Sequence, residues 1–80
     1  MHELGVLMQV VKTVNRVTEQ NQIKKVKHIT LEVGKASGFV PRYLTRLFSV
    51  AVDGFPVLQS AQLRIDEVPG EGLVIKEIGY

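Results

Sequence analysis

The spacing of apolar residues most constrains the fold of this chain, because it switches between the helical period and the strand period. From Glu3 to Asn21, apolar side chains recur every three or four positions, which predicts an amphipathic helix. Lys24 to Gly34 alternates between apolar and polar residues and predicts a half-buried strand. Pro41 then opens a second helical pattern. That pattern ends at Asp53-Gly54-Phe55-Pro56, where glycine and proline are typical of a helix stop.

Two further alternating segments complete the chain. Ala61 to Val68 and Leu73 to Ile78 predict strands, and the turn residues Pro69-Gly70-Glu71-Gly72 between them predict a hairpin. The expected order is α-β-α-β-β, an α+β fold with two helices packed on one face of a three-stranded mixed sheet. With 80 residues and no linker-like segment, the chain is expected to form a single domain, residues 1–80.

Composition and spacing exclude several classes of function. There are no cysteines, so disulfides, thiolate metal sites and cysteine nucleophiles are excluded. Neither His2 nor His28 has the serine and acid spacing of a catalytic triad, and Asp66 and Glu67 would point to opposite faces of a strand. We therefore predict that the chain is not an enzyme. No apolar run reaches membrane-spanning length and no secretory leader is visible, which predicts a cytoplasmic protein without a membrane partner.

The basic residues are interpreted first as a solvated surface rather than a nucleic-acid interface. The net charge is only +2, and no aromatic stacking platform accompanies the basic residues, so we expect no nucleic-acid partner. A small RNA-binding domain is the weakest alternative. An acidic protein partner is the second interpretation of the basic faces. The wide apolar flank of the first helix is expected to be buried in the core, with a partner surface as the alternative. The basic clusters are Lys24, Lys25 and Lys27, then Lys12 with Arg16, and Arg42 with Arg46; the flank is Val6, Val10 and Val17.

The first three residues offer nitrogen ligands to a transition metal. They are the Met1 amine, the His2 imidazole and the amide between them. A helix that begins here leaves its first N–H groups outside the helical ladder, so metal binding would not break it. Ni(II) accepts the square-planar nitrogen arrangement that results. The competing interpretation is an incidental Met-His start, and this segment taken alone favours it until something else supports a metal.

Several segments in this order closely resemble the HypA/HybF family of hydrogenase nickel-incorporation metallochaperones. The resemblance extends over nearly the whole chain, and the closing Val74–Ile78 is similar to the family's last strand. The segments that carry it are Met1-His2-Glu3-Leu4, then Leu31-Glu32-Val33-Gly34 with Ser37-Gly38 and Val40-Pro41, and finally Ala61-x-Leu63-x-Ile65-x-Glu67-Val68-Pro69.

The resemblance implies a nickel site and a delivery function. Ni(II) would be held by the Met1 amine, the His2 amide and imidazole, and the Glu3 amide, with the Glu3 side chain assisting the site or a partner contact. Nickel would pass to a [NiFe]-hydrogenase precursor, and in some organisms to urease, together with a maturation GTPase. The competing function is a protein interaction module of the same fold without a metal. Weak self-association is left open.

One departure from the family concerns zinc. Members carry two Cys-x-x-Cys pairs in a zinc ribbon inserted between the last two strands, whereas here Pro69–Gly72 stands in its place. A zinc site of four cysteines is therefore impossible, and no zinc is expected. Because the insertion would join neighbouring strands of a hairpin, we expect its loss to leave the sheet intact.

Overall fold

The computed structural model describes residues 2–80 and has the predicted order of elements. These are α1 (Glu3–Gln20), β1 (His28–Gly34), α2 (Pro41–Ala51), β2 (Gln62–Val68) and β3 (Leu73–Gly79). The α+β class is confirmed. One element was not predicted, a 3-10 turn at Pro56–Leu58. Strand β1 starts four residues later than expected, although Lys27 still donates its N–H to the Gly79 carbonyl at 2.7 Å.

The sheet order corrects the predicted hairpin. The strands lie in the order β2-β1-β3, with β1 parallel to β2 and antiparallel to β3. Strands β2 and β3 are therefore the two edges, and the hairpin prediction was wrong. The link between them spans two strand spacings, roughly 10 Å, which four residues reach easily.

The Pro69–Gly72 link crosses the end of β1 and is bonded to it by backbone groups. Gly34 donates its N–H to the Gly72 carbonyl at 2.8 Å, and Ala36 donates to Gly70 at 2.9 Å. A Cβ on Gly34 would overlap the backbone carbonyl of Gly70, so only glycine fits there. Gly70 and Gly72 have φ values of +95° and +99°, which glycine adopts without a steric penalty. These glycines therefore let the chain cross from β2, at one edge of the sheet, to β3, at the other.

The core lies between the helices and one face of the sheet. Ile29, Leu31 and Val33 of central strand β1 belong to the same buried cluster as residues of both helices. The outward residues of β2 are exposed, so this face of the sheet is left to solvent. A bulge opposite Thr30 and Leu31 lets consecutive Lys76 and Glu77 face outward. The helical members of the cluster are Leu7, Val10, Val11, Val14, Leu44, Phe48 and Ala51.

Candidate metal site at the start of the first helix

His2 occupies the N-cap position of α1 and is exposed. Its backbone angles, φ −97° and ψ 47°, lie outside the helix, and its imidazole makes no capping bond. The first bond of the helical ladder runs from the Val6 N–H to the His2 carbonyl at 3.2 Å. The ladder therefore uses the carbonyl of His2 and leaves the imidazole at the surface. Met1, the remaining predicted ligand residue, lies outside the described residues.

The Glu3 carboxylate is buried and joins the starts of the two helices. Its residue is only 2% exposed, and its Oε2 accepts the Val40 N–H at 2.9 Å. Val40 is the N-cap residue of α2 and has no side-chain oxygen with which to cap that helix. A carboxylate from α1 supplies negative charge there, where the dipole of α2 favours it.

The charge on Glu3 is stabilised by its surroundings. The N-terminal ammonium has the largest effect and the Val40 N–H the next, and together they lower the pKa of the Glu3 carboxyl to about 2. Glu3 is therefore ionised at neutral pH. In the structure this side chain is an anchor on the backbone of Val40. That contact joins residues 37 positions apart, and no sequence pattern signals it. The role that the resemblance implies for the Glu3 side chain, assisting the metal or a partner contact, stays a prediction.

Side chains alone do not form a metal site here. Within residues 2–80, no three His, Asp or Glu side chains come together in a way that could hold a metal ion. What Met1, His2 and Glu3 offer is backbone nitrogen chemistry with one imidazole, and that ligand set remains a prediction.

His28 has the structural surroundings that its strand position predicts. It lies at the beginning of β1, whereas the connection towards Val40 leaves from the other end of that strand. Its Nε2 is 3.2 Å from the Glu77 carboxylate, and its ring lies so close to Gly79 that a Cβ there would overlap it. The two histidines are thus placed differently: His2 is exposed at the start of α1, and His28 lies within the sheet, in β1.

The apolar flank of α1 is mostly buried, which agrees with the first of its two interpretations. Val10 is in the core, only 5% exposed, while Val6 and Val17 are half-buried. This flank therefore serves mainly to pack the domain. Tyr43 of α2 is 39% exposed, and the Arg42 guanidinium lies 5.5 Å from the centre of its ring. Part of the exposed apolar surface of the two helices therefore lies on α2.

Comparison with solved structures defines the class of fold. The chain superposes on the solution structure of the Ni metallochaperone HypA from Helicobacter pylori with a TM-score of 0.77 and 14% identity, covering 96% of this chain and 88% of that one. A second solution structure of a HypA protein gives a TM-score of 0.73 at 15% identity, covering 98% and 90%. The chain therefore has the small α+β fold of these two proteins.

Sequence comparison then identifies the family. The model "Hydrogenase/urease nickel incorporation, metallochaperone, hypA" matches residues 1–73. Hydrogenase maturation factor HypA of Nostoc punctiforme is 38% identical over 72 residues, 90% of this chain and 60% of that protein. Its counterpart in Trichormus variabilis is 39% identical over 70 residues, 88% and 58%. The chain belongs to the HypA family, a family of metallochaperones, which confirms that it is not an enzyme.

The chain spans about 60% of the length of the curated relatives that it matches. The family match ends at Leu73, where β3 begins, while the structural match spans 96% of the chain and so reaches into β3. Without cysteines, this chain has no four-cysteine zinc site. None of the helices in residues 2–80 is long and apolar enough to cross a membrane.

Proposed function

We propose that residues 1–80 form the nickel-binding domain of a HypA-type metallochaperone, which carries Ni(II) towards a hydrogenase precursor or urease. The observation that carries the proposal is the exposed His2 at the N-cap of α1, in a chain whose family match includes this segment. The relatives are named hydrogenase maturation factors, which supports hydrogenase as the destination. A maturation GTPase is the partner implied by the family resemblance.

In the proposed site, nickel binds to the Met1 amine, the His2 amide and imidazole, and the Glu3 amide. Nitrogen donors in a plane suit Ni(II). The first N–H groups of a helix have no acceptor in the ladder, so deprotonating these amides leaves the ladder from Val6 onward unchanged. The Glu3 carboxylate would stay on Val40 and hold the backbone of this segment in place.

The direct test is Ni(II) titration of the untagged chain by calorimetry and visible absorption. We expect one equivalent to bind tightly with a square-planar spectrum. Binding should be lost in His2→Ala and in an Nα-acetylated chain, because each removes a ligand. His28→Ala is the matched control, since it removes the chain's other histidine and should leave binding unchanged. Weak binding, equal in all four proteins, would contradict the proposal and favour an interaction module without a metal.

Acidification should release the metal. The amine, the imidazole and the amides must all be deprotonated to bind, so protons compete with Ni(II). We expect nickel affinity to fall steeply as the pH is lowered towards about six, as checked by titrations across that range. Affinity that does not change with pH would exclude this ligand set. Cu(II) should bind at least as tightly in vitro, by the usual stability order, so selectivity must come from metal supply and partner transfer.

A further inference from the structure

One face of α2 is apolar and exposed. Tyr43 is 39% exposed and Val50 is 56% exposed, and half-buried Leu47 lies between them. These positions are spaced i, i+4 and i+7, so they form one stripe along the helix. Spaced apolar anchors of this kind are typical of a helix that packs against another helix.

The same face is basic. Arg42 and Arg46 are both exposed and lie one turn apart beside the stripe, with the Arg42 guanidinium near the Tyr43 ring. Helix α2 has no acidic residue anywhere along its length. Strand β2, by contrast, has exposed Asp66 and Glu67. A partner that covers the stripe would therefore meet only positive charge on α2.

The position of α2 places this face near the proposed nickel site. The helix begins at Pro41, directly after Val40, whose N–H is bonded to the Glu3 carboxylate. The starts of α1 and α2 are thus neighbours. A protein bound along α2 would lie within reach of the segment that contains His2.

We propose that the α2 face, formed by Tyr43, Leu47 and Val50 with Arg42 and Arg46, binds an acidic amphipathic helix of a partner protein. The apolar stripe would pack against the partner's apolar face, and carboxylates beside that face would pair with the two arginines. Helix α2 is about 16 Å long, which limits the interface to the size of transient complexes. That this partner gives or receives nickel rests on the proposed function; the surface itself does not.

The test is an NMR titration of the ¹⁵N-labelled chain, without nickel, using a synthetic 18-residue amphipathic helix. The probe has leucines on one face flanked by glutamates, and a second peptide has glutamine in place of every glutamate. We expect the acidic peptide to shift the amide signals of α2, and the glutamine peptide to bind about tenfold more weakly at low salt. Arg42→Glu with Arg46→Glu should weaken binding of the acidic peptide by at least about tenfold.

Two matched controls separate this surface from general effects of charge and hydrophobicity. Lys12→Glu with Arg16→Glu makes the same charge change on an exposed i,i+4 pair of α1 and should leave binding unchanged. Val50→Ser should weaken binding, whereas Val74→Ser should not, although the two valines are equally exposed at 56%. The same spectra report whether each variant is folded.

Several outcomes would overturn the proposal. They are no binding at millimolar peptide, equal losses in the α1 and α2 charge variants, or shifts confined to the sheet. Concentration-dependent shifts on α2 without peptide would mean that a second copy of the chain covers this face. Preferential binding of a single-stranded oligonucleotide through α2 would assign the surface to nucleic acid. Because nickel is absent throughout, failure here leaves the metal site untouched, and failure of the nickel titration leaves this surface untouched.

Discussion

The connection from β1 to α2, residues 35–40, is held at both of its ends, at Gly34 and at Val40, by two different kinds of contact. At Gly34 the contact is backbone to backbone, with the Pro69–Gly72 link lying directly on the chain. At Val40 the contact depends on a single side chain, the Glu3 carboxylate. The contact at Gly34 requires only a residue without a Cβ. The contact at Val40 requires one particular acidic side chain, that of Glu3, next to His2.

The contact at Gly34 stabilises the fold, whereas the contact at Val40 connects the fold to the proposed metal site. The crossover at Gly34 closes the sheet and involves none of the predicted ligand residues. The Glu3–Val40 bond, by contrast, joins a predicted ligand residue to the start of α2. We therefore expect changes at Gly34 to affect stability most, and changes at Glu3 to affect nickel binding as well.

The largest effect should come from Gly34→Ala. The added Cβ would overlap the Gly70 carbonyl, and neither backbone segment can move without breaking the crossover bonds. We expect the free energy of unfolding to fall by about 3 kcal/mol, measured by urea denaturation. Gly5→Ala is the control: nothing lies within 4 Å of its Cβ position, and it should stabilise α1 by up to about 1 kcal/mol. Equal effects at the two glycines would refute the steric argument.

A smaller effect on stability, with an effect on the metal, is expected from Glu3→Ala. Its loss leaves the Val40 N–H without its carboxylate, so the melting temperature should fall. Nickel affinity should weaken by about tenfold, as it does when a group that orients a ligand is removed. Glu3→Gln keeps one acceptor oxygen and should lie between Glu3→Ala and the unaltered chain. Glu19→Ala, at an exposed position of the same helix, is the control and should change neither the melting temperature nor the nickel affinity. Unchanged nickel affinity in Glu3→Ala would show that the metal site does not depend on the Glu3–Val40 contact.

The smallest effect should come from a position away from both ends of the connection. Gln22 lies just after the end of α1 in the left-handed region, at φ +57°, while Ile23 donates its N–H to the Thr18 carbonyl at 2.9 Å. Glycine is favoured there, so Gln22→Gly should raise the free energy of unfolding by about 0.5–1 kcal/mol. Gln9→Gly, within the helix, should instead lower it by about 1 kcal/mol. Nickel affinity should be unchanged in both; the stability prediction fails if both changes have the same sign.

Local patterns predicted the elements, and long-range contacts determined what those patterns missed. The alternation through Ile29, Leu31 and Val33 predicted β1, because a strand with one buried face must alternate. Nothing in Pro69–Gly72 shows which strand lies beside β3, since turn glycines suit a crossover as well as a hairpin. The order β2-β1-β3 follows from pairing with β1, which no short segment encodes.

The candidate site was predicted only in part, for a similar reason. The Met1-His2-Glu3 segment is local, so its nitrogen donors can be read from the sequence. The burial of the Glu3 carboxylate depends on Val40, which the fold brings to it. The position of Tyr43 in the helical repeat of α2 lies at the edge of the buried face. Spacing alone does not show whether a residue at that edge is buried or exposed, and Tyr43 is exposed.

The most direct test of the central claim compares Ni(II) affinity in the folded chain with that in a synthetic peptide of its first eight residues. Both contain the same ligands, but only the folded chain holds Glu3 on Val40 and the segment at the start of a helix. We predict one tight equivalent in the folded chain, bound at least about tenfold more strongly than by the peptide. Equal affinities would contradict the claim, because the fold would then contribute nothing to the metal site.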